Sequence, residues 1–453
     1  MFDIEEKCGI FGMTLDNPSD QTIYNIHLGL FALQHRGQES CGLAYSDGDH
    51  IEVIKAKGLV SGDFYKMIPS GVSTKTAIGH VRYSTSGGSN LVNAQPLVFT
   101  SNKGELAIAH NGNIPRSELI KNEMIKAGSI FQTTSDTEIL IHSMSMKQET
   151  DFETALISSL KTLKGAYSIL MINKEKIYCF RDVNGFRPLS YGEIDGGMVF
   201  ASETTALDLI GAKNVKEVNP GELIIAKGRE VTVKQYATAE NIRQCVFELI
   251  YFSRPDSIVF GESVHQVRLK MGAELSHLIN KKIDMVLPVP DSGNSAALGF
   301  SAESGITFDF GLIRNHYTGR TFIKPGQNKR KESVRIKLNP IRSVIEGKVL
   351  AVIDDSLVRG TTSSKIVQIL KEAGAKEVHM FLTSPEIKYS CFYGIDTPSR
   401  EELISSANSP AQIAGIIGAD SVSFLPVSKL KSCLKNPSDF CYACFTGDYP
   451  TEV

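Results

Sequence analysis

The sequence predicts an α/β protein with more than one domain, in which an α+β part is followed by an α/β part. Three observations predict this class. The 453 residues, 42% of them hydrophobic, suffice for two or three domains with their own cores. Short apolar runs separated by turn residues recur in the first half, as expected of strands. The second half contains a strand–loop–helix–strand unit, which requires parallel pairing.

The composition argues against several kinds of partner. The net charge is −2, so no basic field favours nucleic acid or an anionic membrane surface. No apolar run is long enough to span a bilayer, and the acidic start MFDIEEKCGIFG lacks the features of a secretory signal. We therefore expect a cytoplasmic protein with neither a nucleic-acid nor a membrane partner. The eight cysteines are then expected to be catalytic, metal-binding or buried rather than disulfide-bonded.

The first strand-like run begins at Cys8, in Cys-Gly-Ile-Phe-Gly. A free cysteine is most often a small buried hydrophobe. If residues 1–7 are removed as a propeptide, however, Cys8 gains an α-amine with an ordinary pKa of about 7.7–8.0, which suits a base at neutral pH. The thiol and its base would then belong to one residue, which makes a compact nucleophile.

A helix is predicted next, because Ile23, Ile26 and Leu30 recur at helical spacing before the chain reaches Arg36 and Gly37. A cation and a glycine suit the C-terminal end of a helix, so Arg36 has a structural explanation.

Two strands are predicted over residues 78–83 and 106–110, and each leads into polar residues that could bind a substrate or take part in catalysis. Arg82 ends the first and can grip a carboxylate bidentately. Asn111-Gly112 follows the second; this pair is a turn signal, but it also offers the amide and backbone N–H of an oxyanion hole.

Residues 135–138 form a capping box that predicts a helix to about residue 146. Asp136 suits the first turn of that helix, and it could equally pair with a substrate ammonium group. An arginine, an aspartate and an Asn-Gly pair would together bind an α-amino acid amide, although their spacing does not bring them together.

In the second half, residues 241–252 predict a helix and residues 284–289 a buried strand that ends in a Gly/Ser-rich turn. A second buried strand, residues 349–353, is closed by Asp354 and Asp355, and a helix runs to residue 373 with Gly374 after its end. A strand over residues 378–382 completes the unit. The free N–H groups at the start of that helix suit a phosphate, and the two carboxylates suit sugar hydroxyls or Mg²⁺. An ordinary capped helix is the alternative.

Residues 316–337 are very basic, with proline, glycine and little periodicity. Such a segment is usually a solvated connector, and the alternative is a lid that closes over a polyanionic ligand.

Several strings resemble known families. VLAVIDDSLVRGTTSS resembles the motif of type I phosphoribosyltransferases that binds 5-phosphoribosyl 1-pyrophosphate (PRPP), in the version of the amidophosphoribosyltransferase family. CGIFG, LQHRGQES, GHVRYST, AHNGNI and TTSDTE occur in the order seen in N-terminal-nucleophile glutaminase domains, over roughly residues 8–235. The resemblance implies an αββα sandwich of two antiparallel sheets for residues 8–238. It also implies a phosphoribosyltransferase domain with a mainly parallel sheet for residues 239–410 and a C-terminal segment, residues 411–453.

The resemblance also implies roles for individual residues. Cys8 would be the nucleophile, and Asn111 with Gly112 the oxyanion hole. Glutamine would be clamped by Arg82 and Asp136, with Arg36 as a further contact. The substrate-binding residues of the second half would be Arg359, Gly360, Thr361, Thr362 and Ser363 in the motif, and Arg320, Lys324, Arg330 and Lys337 in a lid. Mg²⁺ would lie near Ser292, Asp354 and Asp355.

Four cysteines, Cys245, Cys391, Cys441 and Cys444, match the ligand positions of family members that hold a 4Fe–4S cluster. Four thiolates suit zinc or an iron–sulfur cluster equally on chemistry alone. The resemblance favours the cluster, with a structural role.

The activity that the resemblance implies is transfer of glutamine-derived ammonia to PRPP, which gives 5-phosphoribosylamine, glutamate and pyrophosphate at the first step of purine synthesis. It also implies feedback inhibition by purine nucleotides and a homotetramer. Two alternatives remain at this stage. A sugar-phosphate-aminating amidotransferase would lack the motif IDDSLVRGTTS, and a PRPP-sensing regulator would not need an intact Cys8 and glutamine pocket.

Overall fold

The computed structural model describes residues 8–83, 90–149, 151–238, 241–315 and 338–452. The predicted propeptide, residues 1–7, lies outside these ranges. So do the four predicted lid residues, Arg320, Lys324, Arg330 and Lys337.

Two antiparallel sheets form the first half. The seven strands of one sheet are, in spatial order, Lys213–Glu217, Ser190–Ile194, Gly197–Ala201, Gly9–Ser19, Thr74–Arg82, Ser40–Ser46 and Ile51–Lys57. The six strands of the other are Glu230–Gln235, Glu222–Lys227, Ile177–Arg181, Ala166–Ile172, Gly104–Asn113 and Leu97–Ser101. Every pairing within both sheets is antiparallel.

The two sheets stack face to face between layers of helices. Ile10 and Ile78 of the first sheet share a core with Leu170 and Ile224 of the second. Helices Gln21–Ala32 and Thr204–Leu209 cover the outer face of the first sheet, and Glu138–Ser145 and Phe152–Leu160 cover that of the second. Alternate residues of each strand therefore face the two cores, as expected of a sandwich. The predicted αββα arrangement is confirmed. Helices Tyr65–Met67 and Ser117–Lys126 and the helical turns Gln34–Arg36, Val60–Phe64 and Leu91–Asn93 connect the strands.

A four-stranded parallel sheet organises the second half. Its strands are, in spatial order, Met285–Pro288, Val349–Asp354, Glu377–Leu382 and Ser421–Phe424. The predicted central strand is confirmed: all six residues of Val349–Asp354 are buried, because helices cover both faces of the sheet. The last strand falls within the predicted C-terminal segment, residues 411–453.

Helices pack on both faces of this sheet. Val264–Ser276 and Asn294–Ser304 contact the face that presents Ala351 and Ile353, and Thr361–Glu372 and Pro410–Ile417 contact the face that presents Leu350 and Val352. The remaining helices and turns are Arg342–Ile345, Arg400–Glu402, Ile404–Ala407, Val427–Ser432, Pro437–Asp439 and Ala443–Thr446. Two short antiparallel pairs join Ile258–Val259 to Glu262–Ser263 and Leu312–Arg314 to Leu338–Pro340.

The predicted helix over residues 241–252 is wrong. Gln244–Cys245 is a two-residue strand that pairs in parallel with Phe440–Cys441, and the single helical turn Glu248–Phe252 follows it. The apolar side chains of this segment pack into the core of the second half. Pairing with a segment almost 200 positions away thus overrides the local helical pattern. Within the described ranges, no helix combines the length and apolar character needed to cross a bilayer.

Candidate functional site

Cys8 lies directly before Gly9–Ser19, a strand flanked on both sides within its sheet. The residue is half-buried, and its Sγ lies 3.7 Å from the carbonyl oxygen of Tyr83, to which it donates. Arg82, the predicted carboxylate clamp, is the residue before Tyr83 and ends the neighbouring strand. The predicted nucleophile and this clamp are therefore brought to the same end of the sheet.

The predicted oxyanion-hole residues end a strand of the opposite sheet. Asn-Gly does not form the turn that its composition favours, because Asn111 and Gly112 continue the strand and pair with Ser168 and Tyr167. Gly112 has φ = 155°, and a Cβ at this position would lie 1.9 Å from the carbonyl oxygen of Ala166. Glycine is therefore required here by space as well as by conformation.

Ser202 links Gly9–Ser19, the strand that follows Cys8, to Gly104–Asn113, the oxyanion strand that carries Asn111 and Gly112. Its Oγ accepts hydrogen bonds from the backbone N–H of Ile10 at 3.0 Å and from Nδ2 of Asn111 at 3.5 Å. The carbonyl of Ile10 in turn accepts the N–H of Ser202. Oδ1 of Asn111 is buried and has no hydrogen-bond partner among the described residues. The side chain of Asn111 is thus linked through Ser202 to Ile10, two residues after Cys8, and its Oδ1 has unused capacity to accept a hydrogen bond.

Asp136 is buried beside the oxyanion strand. Its Oδ2 accepts the backbone N–H of Ile114 at 2.7 Å, and its Oδ1 lies 3.7 Å from Nδ1 of His110. The predicted capping box is wrong: Thr137 is the N-cap and makes no side-chain capping bond. Glu138 instead accepts hydrogen bonds from the turn at Gln132 and Thr133. The helix Glu138–Ser145 itself is confirmed.

Arg36 lies in a buried ion cluster, which we define as Arg36, Arg187, Glu203 and Glu248. Nε of Arg36 donates to the carbonyl oxygen of Cys8 at 3.2 Å. Nη1 of Arg36 lies 2.6 Å from Glu203, and Nη2 lies 2.7 Å from Glu248. Nη2 of Arg187 lies 2.5 Å from Glu248. The predicted role of Arg36 as a glutamine contact is corrected, because each of its three nitrogens already donates to a protein oxygen and the side chain is 1% exposed.

The charges of the ion cluster balance. Burial alone would lower the pKa of Arg36, but the carboxylates of Glu248 and Glu203 raise it above its usual value. Burial alone would raise the pKa of Glu248, but Arg187 and Arg36 hold it below its usual value. Arg36 and Glu248 therefore stay charged and paired, which is the condition under which a buried pair avoids the cost of an isolated charge.

A second candidate centre lies at the carboxyl end of Val349–Asp354. Asp354 and Asp355 are 4% and 5% exposed, and Oγ of Ser292 donates to Oδ1 of Asp354 at 3.4 Å. The structure therefore brings together the three predicted magnesium-site residues. Burial, and then repulsion from Asp355, raises the pKa of Asp354 well above its usual value. Two adjacent buried carboxylates are the kind of donor set that a hard cation stabilises.

Gly360 precedes the helix Thr361–Glu372 with φ = 77°, a left-handed conformation that favours glycine. The helix begins at Thr361, shortly after the strand ends at Asp354, so its first-turn N–H groups are expected near the end of that strand. Ser363 is buried, whereas Arg359 is part-exposed and forms an ion pair with Glu402 at 2.8 Å. The predicted contact of Arg359 with substrate therefore competes with an ion pair within the protein.

The four predicted cluster cysteines lie in one region. Cys245 and Cys441 are directly opposite each other in their short parallel pair. Sγ of Cys391 accepts the N–H of Tyr393 at 3.3 Å, and the carbonyl of Cys444 accepts the N–H groups of Lys388 and Tyr389. Burial, followed by the charges of the other three cysteines, raises the pKa of Cys444. Within the described part of the chain, no three side chains of metal-binding type converge as they would on a single ion.

The similarity of this chain to known proteins covers both candidate sites. Residues 80–209 match the model of a glutamine amidotransferase domain. An amidophosphoribosyltransferase of Bacillus subtilis is 44% identical over 99% of this chain and 95% of its own length. A chloroplastic one of Vigna aconitifolia is 46% identical over 99% and 92%. The chain belongs to the amidophosphoribosyltransferase family. A solved structure of the Bacillus subtilis PRPP amidotransferase, complexed with ADP and GMP, superposes with a TM-score of 0.92 at 43% identity over 98% of both chains.

Family membership establishes the activity that the motifs predict. This amidophosphoribosyltransferase is an enzyme, a glutamine-dependent pentosyltransferase of purine biosynthesis. It transfers glutamine-derived ammonia to PRPP. The alternatives of a sugar-phosphate-aminating enzyme and a PRPP-sensing regulator are thereby set aside.

The sequence analysis missed three residues around the candidate glutamine site: Ser202, Glu203 and Glu248. A signal was available for one of them. Glu248 is an isolated carboxylate in the mainly apolar segment CVFELIYF, whereas Glu203 lies in the mixed segment FASETTAL. A lone charge in an apolar run is seldom buried without a partner, so it predicts a buried ion pair although it does not name the partner.

Proposed function

We propose that Cys8, exposed as the N-terminal residue by removal of residues 1–7, attacks the side-chain amide of glutamine. The thiol proton passes to the α-amine of Cys8, and sulfur bonds to the amide carbon. The α-ammonium group then gives this proton to the amide nitrogen, so collapse of the tetrahedral intermediate breaks the C–N bond, gives a thioester and expels neutral ammonia. Water then hydrolyses the thioester to glutamate and regenerates the thiol. The observation that carries this proposal is the hydrogen-bonded path from Ile10 through Ser202 to Asn111, which joins nucleophile and oxyanion donors.

Asn111 and Gly112 supply the oxyanion hole, from Nδ2 and the backbone N–H respectively. Donors fixed in a strand need little reorganisation when the oxyanion forms, which is the source of their catalytic effect. Arg82 binds the α-carboxylate of glutamine, and Asp136 binds its α-ammonium group. Burial of both side chains supports this assignment, because ion pairs with substrate are stronger out of water.

The second centre binds PRPP. The N–H groups at the start of Thr361–Glu372, with Thr361, Thr362 and Ser363, hold the 5-phosphate. Asp354 and Asp355, with Ser292, would hold Mg²⁺, which neutralises charge on the pyrophosphate leaving group when it is bound. Ammonia displaces pyrophosphate at C1, so one C–N bond forms and one C–O bond breaks. Residues 316–337 are proposed as the lid over this site.

Ammonia travels between the centres within the protein. In bulk water at neutral pH it would be protonated and lose its nucleophilic electron pair. An enclosed path avoids this loss.

A 4Fe–4S cluster held by Cys245, Cys391, Cys441 and Cys444 is proposed as a structural cofactor. Four mutually interacting thiols with no disulfide among them support it; Cys444 is buried and the other three are half-buried. The ligands of a cluster are spread over four irons, so they need not converge as the ligands of one ion do. The cluster would cross-link three segments of the chain.

Regulation by purine nucleotides is proposed from the relative whose structure contains ADP and GMP. A homotetramer and a cytoplasmic location stay predictions.

The test of the proposed mechanism uses two nitrogen donors. Cys8→Ala is expected to abolish PRPP-dependent glutamate formation while ammonium salts still support phosphoribosylamine formation. Cys41→Ala, which removes a buried thiol elsewhere in the same sheet, is the control and should retain both activities. Glutamine-dependent activity in Cys8→Ala would refute the assignment, as would an intact propeptide in active enzyme by mass spectrometry.

A further inference from the structure

The glutamine centre is held partly by residues from the second half of the chain. Glu248 follows the antiparallel sheets in sequence, and its neighbours Leu249, Ile250 and Phe252 are buried in the core of the second half. Its carboxylate nevertheless reaches Arg36 of the first half at 2.7 and 3.0 Å. Arg36 is in turn the donor to the carbonyl oxygen of Cys8.

The orientation of Glu248 is fixed from several sides. Oγ of Ser253 donates to its Oε2 at 2.7 Å, and Arg187 lies 2.5 Å from its Oε1. The turn that carries it is held by Arg268, which donates to the carbonyl oxygens of Leu249 and Ser253. Both guanidinium groups that contact Glu248 are buried, so Glu248 and Glu203 together fix the position of Arg36.

A second contact from the same half reaches the oxyanion strand. Nδ2 of Asn113 donates to the carbonyl oxygen of Phe392 at 2.9 Å. A Cβ built on Gly394 would lie 3.3 Å from the backbone of Gly112, so the two glycine backbones are in close approach. The second half thus contacts both the nucleophile side and the oxyanion side of the glutamine centre.

We propose that Glu248 is a positioning residue for glutamine hydrolysis, supplied by the second half and acting on Cys8 through Arg36. The inference rests on the proposed role of Cys8 as nucleophile. Among the described residues, Glu248 forms no hydrogen bond or ion pair with the proposed glutamine clamps, Arg82 and Asp136, or with the carboxylates at the proposed magnesium site. Its replacement should therefore lower the rate of amide attack while binding of glutamine and the use of free ammonia stay intact.

The test compares Glu248→Gln with Glu262→Gln in the full chain. Glu262 is also a buried carboxylate of the second half; it accepts the backbone N–H of Lys435 and, among the described residues, forms no hydrogen bond or ion pair with a member of the ion cluster. For each variant, kcat and KM are measured with glutamine, and phosphoribosylamine formation is measured with ammonium chloride. We expect Glu248→Gln to lower the glutamine kcat about tenfold or more, with KM for glutamine and ammonia-dependent activity within about twofold of wild type. Glu262→Gln should leave the ratio of glutamine-dependent to ammonia-dependent activity unchanged.

Ser253→Ala keeps the charge of Glu248 but removes one bond that orients it, so it provides a milder second variant if Glu248→Gln does not fold. It should lower the glutamine kcat several-fold, while KM for glutamine and ammonia-dependent activity again stay close to wild type. A wild-type glutamine kcat in Glu248→Gln would overturn the proposal, and so would a parallel loss of both activities in Ser253→Ala. Failure of the proposed function is seen separately, because it would appear as glutamine turnover by Cys8→Ala.

Discussion

The space around the Cα of Gly112 is too small for any side chain. Replacing it with alanine places a methyl group 1.9 Å from the Ala166 carbonyl oxygen, so the strand end must move. We expect Gly112→Ala to lower the glutamine kcat by about 10²–10³-fold, the usual effect of losing an oxyanion donor. Ammonia-dependent activity should change little, and the two assays together check this.

Gly104→Ala is the matched control for this substitution. Gly104 begins the same strand with φ = 98°, but a Cβ there meets no atom within 4 Å. It shares the backbone strain without the collision, so normal glutamine turnover is expected. Equal losses in the two variants would show that strand stability, not the oxyanion hole, is affected.

Asp354 carries a stability cost that its function explains. Its pKa is raised in the folded protein, so the ionised side chain destabilises the fold at pH values above that raised pKa. Below the unfolded-state pKa of about 3.9 the cost is absent. Without Mg²⁺ at pH 8, Asp354→Asn should melt roughly 2–4 °C higher than wild type, equivalent to about 1 kcal/mol, and this gain should fade towards pH 4.

The same variant should have no PRPP-dependent activity, because the proposed magnesium ligand is lost. Asp195→Asn, at an exposed turn between strands, provides the control with no shift in melting temperature. A lower melting temperature for Asp354→Asn at pH 8 would contradict the prediction.

Individual site residues could be predicted where a motif fixes the backbone around them. The local pattern predicts the position of Cys8 at the start of a strand and of Asp354 at the end of one, whereas the roles proposed for these residues and for Asn111 rest on the family resemblance. Arg36 could not be assigned, because its partners Glu203 and Glu248 lie 167 and 212 positions away. Long-range charge pairing leaves no local signal beyond the presence of a lone carboxylate in an apolar run.

At the scale of elements, the helix Thr361–Glu372 depends on the residue before it. A Cβ on Gly360 would lie 3.0 Å from Ile417 and 3.1 Å from Ile404, and the left-handed conformation adds about 1–2 kcal/mol for a non-glycine residue. Gly360→Ala should therefore shift the start of the helix and raise KM for PRPP several-fold. Steady-state kinetics with varied PRPP measures this effect.

Gly418 offers the comparison, because it has nearly the same φ, 78°, and open space around its Cα. Gly418→Ala should lose a similar conformational stability with an unchanged KM for PRPP. If Gly360→Ala binds PRPP normally, the start of this helix is not the phosphate site.

The sequence predicted elements well where their own residues determine them. The strand Val349–Asp354 was predicted to within one residue, because burial on both faces gives a continuous apolar run. The segment 241–252 was predicted incorrectly, because Gln244–Cys245 pairs with Phe440–Cys441. Nothing within twelve residues specifies a partner that distant.

At the scale of the whole molecule, the proposed cluster would connect three distant segments of the chain through Cys245, Cys391, Cys441 and Cys444. Removing iron with a chelator under reducing conditions should lower the melting temperature and make the C-terminal residues accessible to protease, because the segments lose their common attachment. Metal analysis and limited proteolysis measure the two effects.

Cys441→Ala should purify without iron, whereas Cys433→Ala should retain it. Cys433 is a buried cysteine near the C-terminus, whereas Cys441 is half-buried, and the Sγ of Cys433 donates to the carbonyl oxygen of Lys429. Zinc in the wild-type protein, or iron retained by Cys441→Ala, would exclude the proposed cluster.

The relation between the two halves could not be predicted from the sequence. Motifs indicated the class of each half and their order, and the family implied cooperation between two centres. The contacts that join them, such as Asn113 to Phe392, involve residues outside any motif used for the prediction. Contacts of this kind depend on how two folded surfaces meet.

The ion pair between Arg36 and Glu248 has a consequence during synthesis. A ribosome that has translated the first 238 residues has produced every residue of the proposed glutamine site, but Glu248, one of the two carboxylates that hold Arg36, is still missing. If Glu248 positions Cys8 as proposed, such a nascent chain is poorly equipped to break down glutamine. Hydrolysis would then begin only when the part that uses the nitrogen has been made and folded.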